Sequence, residues 1–172
     1  MKASKLPRAD EHDFVRDTIA NIAILKARTM RALWACTDIS HLLTSICFLQ
    51  EQLHGWYGRL PHQAQLFQPG TDAHVPLKTS IYYVHLLHMG ATMLVFRRCL
   101  AGLESASDRE GLSNEQCRLV NDTLEDGLGA AQQSAQVLHL VRQASQSVRH
   151  CWITMYATTM IFTFVPSVKL TS

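Results

Sequence analysis

The sequence predicts an all-α protein, a bundle of about five helices, and three observations predict it. Apolar residues recur at three- and four-residue steps through several long stretches. Those stretches are bounded by helix-starting residues and by proline or glycine stops. Nowhere does the chain alternate with the two-residue period of a half-buried strand. With 47% hydrophobic and 17% charged residues, the chain is too apolar for a disordered protein and suits a large core. Its 172 residues suit one domain, a size that buries about 70% of its unfolded surface. No repeat, low-complexity tract or internal boundary divides it, so the expected organisation is a disordered tail over 1–9, one helical unit over 10–166 and a short tail over 167–172.

The first helix is expected from Asp10 to Met30. Val15, Ile19, Ile22 and Leu25 (or Lys26) follow helical spacing, and acidic residues crowd the first turns, where they favour the dipole. Lys26, Arg28 and Arg31 would then lie at its other end, again with the favourable sign. The second helix runs from Asp38, a good N-cap, to Tyr57, with a stripe of Ile39, Leu42, Leu43, Ile46, Leu49, Leu53 and Trp56. Gly58 and Pro61 stop it, and Pro69, Gly70 and Asp72 mark the loop beyond.

Pro76 suits the first position of a third helix reaching Leu103. That helix is apolar on most faces and is expected to be the central, most buried one. Ser113 and Gln116 form a capping box that opens the fourth helix. Its expected stripe is Val120, Leu124, Leu128, Ala131, Ala135, Leu138 and Val141. Gly127 and Gly129 each cost it about 1 kcal/mol, a loss that close approach of a neighbouring helix would offset. A fifth helix is expected from Gln146 to Val165.

Several function classes are disfavoured by composition. A formal charge of +2, from scattered basic residues, is too small to imply nucleic acid or an anionic membrane as a partner. Five cysteines, an odd number with no pair closer than Cys36 and Cys47, read as reduced thiols in an intracellular protein. The polar N-terminus lacks a secretory core. Ile81–Phe96 and Cys151–Val168 are the two runs that a small membrane-associated helical protein would use. The first is broken by His85, His88 and Gly90, the second by threonines and Pro166, so buried helices are the better reading.

Chemistry-bearing residues are sparse. His85 and His88 lie three apart on one helix face, a spacing that can share a metal or line an enzyme pocket. No third ligand stands beside them on that helix, which favours hydrogen-bonded core histidines. Cys99, beside Arg97 and Arg98, is the best placed nucleophile candidate, yet no base accompanies it. Arg97 suits either an acidic effector or the end of its own helix.

The pieces gain meaning in order. L-H-G-W-Y-G-R-L-P ends the second helix, with Trp56, Leu60 and Pro61. After a loop comes I-Y-Y-V-H-L-L-H-M-G-A-T-M-L-V-F-R-R-C-L, then G-A-A-Q-Q-S-A-Q-V-L-H-L, then C-W-I-T-M-Y with Trp152 and Tyr156. This order resembles the regulatory (middle homology) domain of fungal zinc binuclear cluster transcription factors. There W-x-x-x-L-P precedes a helix of the form L-H-x-x-Y-H…L-L-x-R-P, then a small-residue helix and a helix opening on tryptophan. His85 and Arg97 match the family's histidine and arginine. His88 and Met89 replace its Tyr-His, Arg98 its proline, and the cysteine of the small-residue helix has no counterpart.

The resemblance covers only the later part of the family's domain. No C-x-x-C occurs, so the zinc cluster that reads DNA is missing, as are the usual coiled-coil linker and the early helices. What it implies is a C-terminal regulatory fragment with no cofactor, no enzymatic activity and no direct DNA binding. Such a fragment would act in the nucleus (otherwise the cytoplasm) by binding a protein partner or a small-molecule effector. A non-functional truncated paralogue is the blander alternative. Trp56, Leu60, Pro61, His85, Arg97, Trp152 and Tyr156 are the motif positions, expected to be structural.

Overall fold

The computed structural model describes residues 8–61, 64–65, 78–105, 111–144 and 159. It is all-α, with α1 Arg8–Ala35, α2 Ile39–Gly58, α3 Lys78–Ser105 and α4 Asn114–Ala144. Of the expected fifth helix only Thr159 is described, in helical conformation; Trp152, Tyr156, Pro76 and the tail over 167–172 lie outside the described residues. α1 begins at Arg8, two residues before the expected Asp10, and residues 1–7 of the expected tail lie outside the described residues.

α1 is longer than its charge pattern suggests. No glycine or proline interrupts it, and it continues past Met30 to Ala35. Lys26, Arg28 and Arg31 therefore lie short of its last turn, which holds no basic residue. The cation at this helix end comes from α3 instead. Arg98 donates from Nε to the Leu33 carbonyl at 3.2 Å and from a terminal nitrogen to the Cys36 carbonyl at 3.0 Å. Helix C-termini leave carbonyls unpaired and carry partial negative charge, so a guanidinium there is doubly favourable. The chain then turns sharply. Asp38, in extended conformation, N-caps α2 by accepting from the His41 amide at 2.8 Å.

α3 packs against each of the other three helices, as its composition predicts. Leu87, Ala91, Val95, Cys99 and Leu103, four residues apart, enter a core shared with Ile22 and Leu33 of α1 and Leu42, Ile46 and Leu53 of α2. Leu86, Met89, Met93 and Phe96 form a second face, packed with Ala130, Ala131, Val137 and Val141 of α4. Two buried faces on one helix explain why its apolar residues do not collect into a single stripe. By length and hydropathy, Ser80–Glu104 could cross a membrane, but 67% of its most apolar window is buried inside the protein.

α4 opens on the expected capping box. The Ser113 amide donates to Gln116 Oε1 at 2.9 Å and the Gln116 amide to Ser113 Oγ at 3.2 Å. Its buried face differs from the expected one. Leu128 is 42% exposed and Ala135 is exposed, while Thr123, Gly127, Ala130 and Ser134 face inward with Val120, Ala131, Val137 and Val141. The cause is Gly127, where a Cβ would stand 2.5 Å from the Phe96 ring and 2.6 Å from Phe96 Cβ. Close approach turns the small residues toward α3 and leaves Leu128 outside. Gly129, by contrast, has open space where its Cβ would be.

Three substitutions test this account by urea unfolding. Gly127→Ala should destabilise by about 1–3 kcal/mol, because the added methyl overpacks against Phe96. Gly129→Ala should stabilise by about 1 kcal/mol through helix propensity alone. Arg98→Met should cost about 2 kcal/mol for the lost charge-assisted bonds, more than Arg97→Met, whose parent side chain is exposed.

Candidate functional site

The end of α2 is built as a corner. The Arg59 amide donates to the Trp56 carbonyl at 3.2 Å, Leu60 to Tyr57 at 3.0 Å and Ala64 to Pro61 at 2.8 Å. These successive i→i+3 bonds bend the chain back toward α3, and Leu60 and Ala64 are buried by the bend. The turn delivers the Ala64 carbonyl to His85 Nε2, 2.7 Å away. One turn further along α3, His88 Nε2 lies 3.2 Å from the Leu53 carbonyl of α2. The His88 ring stacks on Trp56, with centroids 5.5 Å apart and planes at 18°, and Tyr57 meets both histidine rings.

Both imidazoles are chemically defined by these bonds. A carbonyl only accepts, so each Nε2 carries the proton, and in a neutral ring Nδ1 is then an acceptor. Burial lowers the pKa of His85 from 6.5 to about 4, against the opposing effect of its carbonyl bond. His88 also falls to about 4, chiefly by burial, with small contributions from the other two histidines nearby. Both rings are therefore neutral at physiological pH.

Two grooves flank the corner. The first, about 490 Å³, lies between α1 and α2 over Phe14, Ile24 and Trp56, with Arg28 and Arg59 in its walls. The second, about 470 Å³, lies between α2, α3 and α4. His54, Tyr57, His85 and His88 line one side of it, and Glu125, Asp126 and Gln133 of α4 the other. Asp126 is held in place, since its Oδ2 accepts from Gln50 Nε2 at 3.2 Å and lies 3.3 Å from His54 Nε2.

Of the sequence-predicted positions, Trp56, Leu60, Pro61 and His85 come together in this corner. Arg97 does not join them. It is exposed and lies twelve residues along α3 from His85, about 18 Å by helical rise. Cys99 is fully buried, and burial raises its thiol to about 11, so thiolate is scarce at neutral pH. Among the described residues, no group of three His, Cys, Asp or Glu side chains is placed to hold a metal ion, and the four described cysteines are free.

Tyr57, His54, Asp126, Gln133 and the capping Arg98 are not singled out by sequence patterns. His54 and Asp126 are ordinary polar residues of their helices until α2 and α4 meet. Arg98 is distinguished from Arg97 only by which side of α3 faces α1.

The buried histidines make stability depend on pH. An unfolded histidine takes a proton near pH 6.5, whereas folded His85 refuses it until about pH 4. Its contribution is thus complete above pH 6.5 and lost as pH falls toward 4, on the order of 3 kcal/mol at most. Thermal melts between pH 7 and 4 should show a falling midpoint. His85→Gln, which can still donate to Ala64, should flatten that decline.

No protein-family model matches this chain, and neither does any curated protein or solved structure. The likeness to the fungal regulatory domain therefore rests on the sequence pieces.

Proposed function

We propose that this chain is a regulatory binding module of the fungal transcription-factor type. It works in the nucleus by holding an effector or a protein partner against its helices. The observation that carries this reading is the union of the Trp56–Leu60–Pro61 corner with the His85 helix through the Ala64 carbonyl. Those are the two pieces on which the family resemblance chiefly depends, and here they act as one unit.

The inter-helix grooves support a binding role on independent grounds. Volumes of about 490 and 470 Å³ fall within the usual size of small-molecule sites. A ligand seated beside Tyr57 would touch α2, α3 and α4 together, so its binding energy can bias how the end of α2 sits against α4. Such a bias is the physical requirement for an effector to alter a partner-binding surface. The small net charge and the lack of paired cysteines fit a module whose own residues do not read DNA.

Tethering tests the proposal. The full chain, fused to an unrelated DNA-binding domain and directed to a reporter promoter, should raise or lower transcription relative to the DNA-binding domain alone. An unchanged reporter, with the fusion shown to be folded and bound at the promoter, would mean that the chain is a silent relic.

A further inference from the structure

We infer that the groove between α1 and α2 is a docking site for an acidic amphipathic helix of a partner protein. This inference rests on the binding role proposed above and names the kind of partner that one groove takes. The spacing of the walls points to a helix. Along α1, Phe14, Thr18, Asn21, Leu25 and Arg28 line the groove at alternating four- and three-residue steps, and Gln52, Trp56 and Arg59 repeat those steps on α2. Such steps are how one helix presents a continuous seam to another. From Phe14 to Arg28 the α1 seam extends about 21 Å by helical rise, roughly four turns. A helix laid along it would engage that whole length, whereas a compact small molecule would touch only part.

The seam is apolar and open to solvent. α1 packs more on α3 than on α2, which leaves a groove along the outer side of the α1–α2 pair. Ile24 is 51% exposed and Phe14 39%, both in the groove lining, and Leu25 and Trp56 are half-buried there. His88 covers one face of the Trp56 ring, yet the ring also borders the groove. Large apolar side chains gathered along a groove of about 490 Å³ are what the apolar stripe of a docked helix needs.

Charge selects the partner, and it is a separate observation. Arg28 stands in one wall and Arg59 in the other, both exposed, and among the described residues no carboxylate lines the groove. Among those residues neither arginine takes part in an ion pair. Aspartate or glutamate flanking the apolar stripe of a docked helix would pair with both guanidinium groups, one on each side. A basic helix would meet two like charges instead. Asn21 on α1 and Gln52 on α2, both exposed, would hydrogen-bond polar groups at the rim.

The experiment uses the full chain and a labelled helical peptide of about five turns, with leucine at heptad a and d positions and glutamate and alanine elsewhere. A matched peptide carries lysine in place of glutamate. Fluorescence anisotropy should show saturable binding of the glutamate peptide, about tenfold or more tighter than the lysine peptide. Arg28→Glu combined with Arg59→Glu should reverse that preference, and circular dichroism should show the fold kept, because both parent side chains are exposed. Ile24→Ser, at another exposed position, should weaken the glutamate peptide about tenfold. No binding at millimolar glutamate peptide, equal binding of the two peptides, or an unaltered preference in the double variant would overturn the inference. Sedimentation showing a dimer of the chain that the double variant dissociates would assign the groove to a second copy, and would overturn it too. Peptide binding with a silent tethered reporter would defeat only the regulatory reading. An active reporter without peptide binding would defeat only this assignment.

Discussion

Three polar side chains of α3 reach backbone carbonyls at or near the ends of α1 and α2, two of its three neighbours, and the arrangement of the bundle depends on them. Arg98 takes the Leu33 and Cys36 carbonyls where α1 stops, His88 takes the Leu53 carbonyl near the end of α2, and His85 takes Ala64 in the corner beyond it. Apolar packing holds α3 in the centre but is indifferent to small slides along a helix axis. Directional bonds to specific carbonyls are not indifferent. Each would leave a buried polar group unpaired if the helices shifted, at a cost larger than the bond's own net gain.

The side of α3 facing α4 uses a different device. Gly127, Ala130 and Ala131 let α4 come close to the side of α3 that carries Met93 and Phe96, so shape rather than hydrogen bonding sets the register there. Dispersion contacts fall off steeply with a gap of even half an ångström, which makes the missing Cβ of Gly127 a structural requirement. Gly129, two residues on, is free of that constraint and borders the groove.

The two grooves follow from the same geometry. Trp56 stacks on His88 of α3 and also borders the groove beside α1, while Tyr57 borders the groove between α2, α3 and α4, so adjacent aromatic residues on one helix turn line different sites. One site has arginines and the other has carboxylates, although the whole chain carries only +2. Net charge therefore says little about what this surface attracts. Local distribution decides it.

The sequence by itself determined the starts of α2 and α4 and the stop of α2. Periodicity, the Asp38 cap, the Gly58–Pro61 break and the Ser113–Gln116 box act over three or four residues, and the inward stripe of α2 and the central place of α3 followed. Only tertiary structure decided which of two adjacent arginines caps α1 and which face of α4 turns inward. Those outcomes turn on contacts between residues sixty or more positions apart, or on whether a neighbour approaches a particular glycine. Local pattern carries no information about such distances, because a helix with several acceptable faces chooses among them only when it meets its partner.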